Sequence, residues 1–501
     1  GAAALPDGGA HPGGPASPDE VGEGASADEV RMYVDGRWRT VPLLRRPDLA
    51  PGARVEGPAL VAEENATTVL EEGWSAVVGE GGELRLDRVA VGAVKPGAAD
   101  DSATAVDPVR LEIFNNLFMS VAEQMGVRLE QTAQSVNIKE RLDFSCALFD
   151  PDGRLIANAP HIPVHLGSMG QAVREVIARH TDRIRPGDTY AVNDPYHGGT
   201  HLPDITVISP VHDDEGRQVL FWVASRGHHA EIGGITPGSM PARSRTVEEE
   251  GVLFDAWLLV EDGRLREAET HALLDGGPYP SRSPDVNLAD LRAQVAANAR
   301  GAHEIRAMIA QFGLGVVQAY MCHVQDNAEE AVRRVIAHLD DGEHTYETDS
   351  GATIRVAVRV DRGSRSATLD FTGTSAQLDT NINAPAAVTT AAVLYVFRTL
   401  VDDEIPLNDG CLRPLTIVLP EGSMLSPTYP AAVVGGNVET SQMVTGALYA
   451  ALRVQAEGAG TMNNVSFGNA RHQYYETLSS GSGAGPGFDG TAVVQTHMTN
   501  S

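Results

Sequence analysis

Apolar side chains recur at helical spacing immediately after residue 107. They lie three or four positions apart in one stretch, at Leu111, Phe114, Leu117, Phe118, Val121 and Met125. This spacing predicts an amphipathic helix, and Asp107 followed by Pro108 is typical of an N-cap and a first-turn proline. The same periodicity predicts a long helical region over about residues 287–339, with a break near Gly313–Gly315, and a further helix over about 388–400.

Short apolar runs between turn residues predict strands in the same part of the chain. The runs cover residues 146–149, 190–192, 205–208, 219–224, 354–360 and 367–371. No internal repeat with a period of about 20–50 residues is visible. The mixture of helices and strands therefore predicts an α+β fold with substantial antiparallel sheet.

The first part of the chain has a different sequence pattern. Its strand-like runs are separated by Asp-Gly, Pro-Gly and Glu-Gly turns and lie at residues 30–34, 59–62 and 67–70. This pattern predicts a small all-β domain over residues 30–94. Residues 1–29, which are rich in proline and glycine, are predicted to be flexible. Residues 95–107 are predicted to be a linker that leads into a large mixed α/β unit over residues 108–501.

Both ends of the chain suggest a piece of a longer protein. The sequence begins with Gly1 instead of methionine, has no basic and apolar leader, and stops in the polar stretch 496–501. We therefore expect further residues beyond both ends.

Composition and charge exclude several classes of protein. The 501 residues are 42% hydrophobic and 21% charged, which is typical of a globular protein, and no apolar run approaches the roughly 18 residues of a membrane span. The 67 acidic and 38 basic residues give a net charge of −29, which argues against binding to nucleic acid or to an anionic membrane surface. The three cysteines, Cys146, Cys322 and Cys411, are too far apart in sequence for a thiolate metal motif and fit a reducing cytoplasm.

Histidines are concentrated in one part of the chain, since eight of the 16 lie within residues 161–229. Two pairs of imidazole and carboxylate, each three positions apart, occur in one predicted loop: Asp194 with His197, and His201 with Asp204. Further candidate ligands follow predicted elements on either side, namely Glu140, Asp143, His228 and His229. Imidazole and carboxylate without thiolate suit Zn, Mn or Fe, so we predict a divalent transition metal at a catalytic site. The spacing matches no standard metal signature, and the alternative is a set of surface or hydrogen-bonded core histidines.

Two polar loops offer candidates for contact with a substrate. Asn383 lies in the sequence Asn-Ile-Asn-Ala-Pro, and Asn437 and Glu439 lie in the Gly-, Asn- and Ser-rich stretch 435–442. Both stretches are equally compatible with a substrate pocket and with ordinary turns. The glycine-rich stretch 481–487 lacks the strand–loop–helix context of a phosphate-binding loop, and no Gly-x-x-x-x-Gly-Lys-Ser/Thr motif occurs.

Several long strings of this sequence resemble those of the hydantoinase B/oxoprolinase family. They occur in the family's order between about Asp107 and Ser501, at residues 141–145, 163–169, 193–204, 227–234, 435–442 and 474–477. Residues 30–88 are similar to the C-terminal β domain of the partner hydantoinase A subunit. Because the family includes fused A–B chains, the resemblance implies the tail of an A half, a linker and a B half that is incomplete at its C-terminus.

The resemblance also implies an activity and its partners. It implies ATP-dependent hydrolysis of a small cyclic amide, either 5-oxoproline to glutamate in glutathione metabolism or a hydantoin to an N-carbamoyl amino acid. ATP with Mg would bind to an upstream hydantoinase A-type ATPase domain that is absent from this chain. The alternatives are the metal-containing subunit of an acetone or acetophenone carboxylase-like enzyme and a non-catalytic assembly subunit. We also expect a homo-oligomer.

The metal ligands follow from the resemblance position by position, and the other roles from the chemistry of the residues around them. The implied metal ligands are Glu140, His201, Asp204 and His228, with Asp194, His197 and His229 as orienting groups or alternative ligands. Proton transfer is assigned to His165 or to His197 with Asp194. Contact with the substrate is assigned to Asn383, Asn437 and Glu439.

Overall fold

The structure is a computed structural model. It describes residues 28–34, 37–88, 104–158, 162–403, 405–456, 458–462, 464–468 and 473–493. Most of the predicted flexible segment 1–29 and most of the predicted linker 95–107 lie outside the described residues. The chain divides into two compact units, residues 1–100 and residues 101–501.

The first unit is built of short strands, as its turn-rich sequence predicts. Its strands are β1 (Asp28–Val34), β2 (Arg37–Arg45), β3 (Arg54–Glu56), β4 (Ala59–Ala62), β5 (Thr67–Leu70), β6 (Trp74–Val78) and β7 (Leu84–Arg88). They form one sheet in the order β1-β2-β4-β5 and a second in the order β3-β6-β7. A small core of aliphatic side chains, among them Val55, Val61 and Leu70, is buried in this unit.

A seven-stranded sheet is the centre of the second unit. Its strands are β8 (Phe144–Phe149), β9 (Leu155–Asn158), β10 (Thr189–Val192), β11 (Asp204–His212), β12 (Val219–His228), β13 (Trp257–Glu261) and β14 (Arg264–Leu265). The order is β14-β13-β10-β11-β12-β8-β9, and every neighbouring pair is antiparallel. The predicted α+β fold with antiparallel sheet and a small all-β region is therefore confirmed.

Helices cover both faces of this sheet. They are α1 (Pro108–Thr132), α2 (Val136–Lys139), α3 (Pro163–His180), α4 (Glu267–Leu274), α5 (Pro284–Phe312) and α6 (Leu314–Ile336). Because successive side chains of a strand point to opposite faces, Cys146 and Leu148 of β8 pack with α1, α5 and α6. Ala147 and Phe149 pack on the other face with α3. Strand β8, all six of whose residues are buried, is thus covered from both sides.

The sequence signals at the helix ends are confirmed. Asp107 caps α1, since its side chain accepts a hydrogen bond from the backbone N–H of Arg110, and Pro108 is the first helical residue. Helix α5 ends and α6 begins at Gly313, whose φ is 86°, within the predicted break.

In the described parts of the chain no single helix has the length and hydropathy of a membrane span. Helices α5 and α6 have that length and hydropathy only when they are taken together, as a pair bent by 113°.

A second, four-stranded sheet lies in the C-terminal part of this unit. It contains β15 (Gly342–Glu347), β16 (Thr353–Asp361), β17 (Ser366–Asp370) and β18 (Leu415–Val418), in that order. Its alternating apolar residues, Ile354, Val356 and Val358, pack against two further helices, α7 (Ala386–Thr399) and α8 (Ser441–Leu452). A π-helical turn, Gly436–Thr440, leads into α8. The hairpin β19 (Asn464–Gly468) and β20 (Gln473–Thr477) follows.

Helices α3 and α7 approach each other so closely that the contact has room only for glycine. A Cβ atom placed on Gly167 would lie 2.3 Å from the Cα and 2.6 Å from the Cβ of Ala391. This contact joins the helix that packs on the large sheet to the helix that packs on the small sheet.

The substitution Gly167→Ala is expected to lower the free energy of unfolding by about 1–3 kcal/mol, because one helix must move to accept the new methyl group. Urea denaturation measures this loss. Gly315→Ala is the matched control, since Gly315 lies in the first turn of α6 and a Cβ placed on it would have no heavy atom within 4 Å. The control is expected to keep or slightly raise stability, and an equal loss in both variants would contradict the proposed steric origin.

Glu250 holds the loop that precedes the π-helical turn in place through hydrogen bonds. Its side chain is fully buried, and its Oε1 accepts hydrogen bonds from Ser244 Oγ at 2.7 Å and from the N–H groups of Val433 and Val434 at 3.0 and 3.1 Å. Burial is the main reason that its pKa is raised from the ordinary 4.5 to about 7, and the neighbouring Glu249 adds to the effect.

The raised pKa gives Glu250 a pH-dependent effect on stability. The folded protein holds this proton more tightly than the unfolded chain, so the contribution is complete below about pH 4.5 and is lost as the pH rises through 7. A pKa change of this size corresponds to about 3 kcal/mol. We expect the stability of the wild type relative to Glu250→Gln to fall by that order between pH 5 and pH 8 in urea titrations. Parallel pH profiles for the two proteins would contradict this assignment.

Candidate metal centre

Strand pairing brings Asp204 and His228 together. Asp204 is the first residue of β11, His228 is the last residue of β12, and the two are directly opposite in the antiparallel register. Residues directly opposite in such a pair have their Cβ atoms about 4.5–5.5 Å apart. His201 lies one tight turn earlier, since the N–H of Asp204 donates to the carbonyl of His201 at 3.1 Å. Residues far apart in sequence therefore meet at one end of the large sheet.

One possible ligand atom from each of His201, Asp204 and His228 lies within 4.8 Å of the other two. His201 and Asp204 are almost completely buried, and neither ring nitrogen of His201 nor Oδ1 of Asp204 has a hydrogen-bond partner among the described residues. A buried polar atom without a partner costs about 1–3 kcal/mol. Two imidazoles and one carboxylate with unused lone pairs form a donor set that fits Zn, Mn or Fe.

Asp204 remains ionised in this setting. Burial alone would raise its pKa, but the imidazoles of His165 and His201 favour the charged carboxylate and hold the pKa well below the usual range. Oδ2 accepts a hydrogen bond from Thr200 Oγ1 at 2.7 Å and lies 3.1 Å from Nε2 of His165. One carboxylate oxygen is thus held in place, while Oδ1 has no partner within the described chain.

His165 and Asp143 lie beside this group. His165, in the first turn of α3, is buried between Ser145 Oγ, 3.2 Å from its Nδ1, and Asp204. Because an ionised carboxylate can only accept, Nε2 of His165 carries the proton in this contact. Asp143 Oδ1 lies 4.0 Å from the same Nε2. Burial raises the pKa of Asp143 to about 6, although the His165 imidazole acts in the opposite direction.

The imidazoles of the group are held as weak bases. Burial lowers the pKa of His201, and it lowers the pKa of His228 to about 3, so both rings are neutral and able to bind a cation. Nδ2 of Asn137 donates a hydrogen bond to Nδ1 of His228 at 2.8 Å. A flip of the carboxamide would exchange its nitrogen and oxygen and place the oxygen at this position. A carboxamide oxygen at that point would keep the proton on Nδ1 and leave Nε2 to bind a metal.

A buried arginine interacts with Asp204. Arg226 is fully buried on β12, and it donates hydrogen bonds to Thr206 Oγ1, to Ser168 Oγ and to the carbonyl of Gly198. Burial lowers its pKa to about 10, while the charge of Asp204 favours the protonated form. The guanidinium therefore compensates the buried carboxylate and at the same time fixes the loop that carries His201.

Two of the predicted ligands lie elsewhere. His229 is fully buried, its Nε2 meets Gln294 Oε1 at 3.1 Å, and its Nδ1 meets Asn287 Nδ2 at 3.1 Å, so both ring nitrogens are used within the fold. Glu140 is exposed just after α2 and does not belong to the group of three ligands. Asp143, only three residues further on, is the carboxylate that approaches His165.

Asp194 and His197 form a separate cluster. Asp194 Oδ2 accepts a hydrogen bond from Nδ1 of His197 at 2.7 Å, and possible ligand atoms of both residues lie within 4.8 Å of one from Asp255. Asp255 is paired with Arg179, which supplies the positive charge that a cation would otherwise bring. The ring of His197 is 44% exposed. The geometry is that of an oriented imidazole more than that of a metal site.

The candidate substrate residues have three different surroundings. Asn383 is fully buried, and both ends of its carboxamide bond to backbone groups, among them the N–H of Leu378 and the carbonyl of Ala432. Glu439 is partly buried and interacts with Thr461 and Met462, and burial raises its pKa. Asn437 is almost completely buried, and its Oδ1 has no hydrogen-bond partner among the described residues.

Sequence reasoning missed the supporting residues of this centre. The sequence pattern does not indicate Asn137, Ser145 or Arg226, and the resemblance favours Glu140 over Asp143. The usable signal was the pairing of the predicted strands, because the register that places Asp204 opposite His228 also places Arg226 on the same strand end. The contacts of Asn137 depend on tertiary packing and carry no signal of their own.

Known proteins support this architecture. The chain is 46% identical over 501 residues to 5-oxoprolinase 1 of Arabidopsis thaliana, which covers 94% of this chain but only 39% of that relative's length. The crystal structure of an ATP-dependent caprolactamase from Pseudomonas jessenii matches with a TM-score of 0.67 at 25% identity, over 78% of this chain and 70% of that one. An acetone carboxylase structure matches with a TM-score of 0.67 at 17% identity, over 79% and 57% of the two chains, and so shows likeness of fold alone.

Family models match both units of the chain. The model of the hydantoinase/oxoprolinase C-terminal domain matches residues 12–88. The model of the hydantoinase B/oxoprolinase family matches residues 107–501, which include every residue of the candidate metal centre. The chain therefore belongs to the hydantoinase B/oxoprolinase family.

Proposed function

We propose that this chain carries the metal-containing half of an enzyme that hydrolyses a small cyclic amide at the expense of ATP. The observation that carries the proposal is the buried group of His201, Asp204 and His228, in which three polar atoms have no partner among the described residues. A divalent transition metal, Zn, Mn or Fe, bound to these residues would satisfy those atoms.

The proposed substrate is 5-oxoproline, opened to glutamate, with a hydantoin as the second candidate. The 46% identity to a 5-oxoprolinase supports this choice, and the likeness to a caprolactamase supports a cyclic amide in general. The chain spans about two fifths of that oxoprolinase, so we assign ATP and Mg to a hydantoinase A-type ATPase domain elsewhere in the full-length protein. The free cysteines fit a cytoplasmic protein, and we retain a homo-oligomer as part of the proposal.

A metal bound at this site would polarise the ring carbonyl and lower the pKa of a water molecule. The residues of the chain prepare the surroundings. Thr200 and His165 fix one oxygen of Asp204, and Arg226 holds the loop at Gly198. Burial keeps bulk water from His201 and Asp204.

Proton transfer is assigned to the His197–Asp194 pair. The contact with Asp194 uses Nδ1 of His197 and leaves Nε2 of a half-exposed ring to take up or release a proton. His165 is enclosed by Ser145 and Asp204, so it holds Asp204 in place instead of exchanging protons with a substrate. A carboxylase activity is the less favoured alternative, since its support is a likeness of fold at 17% identity.

The substitution His201→Ala in the full-length protein is expected to remove the bound metal and to lower ATP-dependent opening of 5-oxoproline on the order of a hundredfold or more, because a ligand is lost. Elemental analysis and a glutamate-release assay measure the two effects. ATP hydrolysis should continue without ring opening.

His180→Ala is the matched control for His201→Ala. His180 lies at the end of α3, bonds through Nε2 to the carbonyl of Ala256 and does not belong to the ligand group. The control should keep both the metal and the activity. Full metal content and normal coupled turnover in His201→Ala would refute the proposed centre.

The substitution His197→Ala separates proton transfer from metal binding. We expect the rate of ring opening to fall on the order of a hundredfold, because a general acid–base group is lost, while metal content stays at the level of the wild type. Steady-state kinetics with elemental analysis of the same preparation tests this. Loss of the metal in His197→Ala would place His197 among the ligands and contradict the assignment.

A further inference from the structure

The second unit has a surface pocket that none of the candidate metal ligands lines. Its volume is about 350 Å³, which is within the range of about 300–1,000 Å³ that is typical of small-molecule sites. Its walls come from residues 247–253, from the end of α4 and the residues after it as far as Tyr279, and from Tyr429. Most of the lining side chains are apolar, as in a binding site for an organic ligand.

Backbone hydrogen bonds hold the walls of this pocket together. The N–H of Val247 donates to the carbonyl of Pro430 at 2.9 Å, which joins the first wall to the loop of Tyr429. The carbonyl of Tyr279 accepts a hydrogen bond from the N–H of Gly234 at 3.1 Å. Glu250, in the first wall, also holds the loop that follows Pro430. The pocket is therefore formed in the free protein, so a ligand would spend little free energy on ordering its walls.

Glu248 gives the pocket a negative charge. It is the single charged residue among the described residues that line the pocket, and the hydroxyl group of Tyr429 donates a hydrogen bond to its carboxylate. Burial would raise the pKa of Glu248, but hydrogen bonds from Tyr429 and Thr246 hold this pKa below the ordinary 4.5. The carboxylate is thus ionised at neutral pH. Tyr279 and Tyr429 line the same pocket, and aromatic rings as well as carboxylates attract cations.

The charge of the pocket does not suit the proposed substrate. 5-Oxoproline carries a carboxylate at neutral pH, which the carboxylate of Glu248 would repel. A ligand that complements the pocket instead combines an apolar body with one positive charge. The net charge of −29 on the whole chain also favours the approach of a cation.

We propose that this pocket binds a small organic cation, in which an apolar or aromatic body carries one ammonium group that pairs with Glu248. The inference goes beyond the proposed function and does not depend on the metal centre. The rings of Tyr429 and Tyr196 meet edge to face with their centroids 5.9 Å apart, and Tyr196 directly precedes His197. A ligand in contact with Tyr429 would therefore lie one side chain away from the loop that carries the His197–Asp194 pair.

Titration of the full-length protein with three probes of nearly equal size, followed by ligand-observed NMR, tests this proposal. The probes are 2-phenylethylammonium, 2-phenylethanol and phenylacetate. We expect the cation to bind about tenfold more tightly than the neutral alcohol, because its hydrogen bond to Glu248 is charge-assisted. Phenylacetate should bind more weakly than the alcohol. Equal affinities for the three probes, or no binding of the cation, would overturn the proposal.

Two variants locate the cation. Glu248→Gln keeps the size of the side chain and removes its charge, so we expect the affinity for 2-phenylethylammonium to fall about tenfold, to that of 2-phenylethanol. Ala272→Trp introduces a large side chain at an exposed position of α4 that lines the pocket. This variant should fold normally and lose the binding of both probes, because the indole ring fills the cavity.

Glu249→Gln is the matched control. Glu249 is the next acidic residue along the chain and does not line the pocket, so the control should bind all three probes as the wild type does. A preference for the cation that persists in Glu248→Gln, or unchanged binding in Ala272→Trp, would place the cation elsewhere and refute the site. Equal losses in Glu248→Gln and Glu249→Gln would show an effect of net charge alone and would also refute it.

Discussion

The buried carboxylate of Asp204 is the charge around which this part of the fold is arranged. A carboxylate removed from water is costly unless charged and polar groups compensate it, and here Thr200, His165 and Arg226 provide that compensation. The compensating groups come from a loop, from α3 and from the neighbouring strand β12. Their positions follow from the need to compensate this one buried negative charge. Oδ1 of Asp204 has no partner among the described residues, so a further positive charge can be bound beside it.

Local sequence patterns predicted the elements well. Helix α1 with its Asp107 cap, the break at Gly313 and four of the seven strands of the large sheet (β8, β10, β11 and β12) appear where periodicity and turn residues place them, whereas β9, β13, β14 and helix α3 are not among the predicted elements. These features depend on interactions within a few residues, so the sequence records them directly. The candidate centre was less accessible, because choosing between Asp143 and Glu140 requires knowledge of where His165 packs.

The stretch 435–442 shows why the remainder could not be predicted. Glycine, asparagine, serine and threonine are typical of loops, and the stretch was interpreted as a loop, yet it forms a π-helical turn and the start of α8. Tertiary contacts decide this outcome. In one of them, the carbonyl of Asn381 accepts hydrogen bonds from the N–H groups of Gly435 and Gly436. Likewise, His229 next to His228 looks like a ligand in the sequence, but successive residues of an extended strand end point in opposite directions, and Gln294 and Asn287 receive its ring.

The pairing register of the hairpin of β11 and β12 determines which residues meet at its open end. Nine steps of strand separate His228 from Val219, which at 3.4 Å per residue is a distance of about 30 Å from the hairpin turn. A slip of one residue in this ladder would turn Asp204 to the opposite face of the sheet. Insertions within either strand are therefore compatible with an intact centre only when a bulge absorbs them, and the irregularity between Val211 and His212 is already such a place. The turn at residues 213–218 can lengthen at the surface without moving this register. Length changes within the strands, even far from the centre, thus come under the same selection as the ligands themselves.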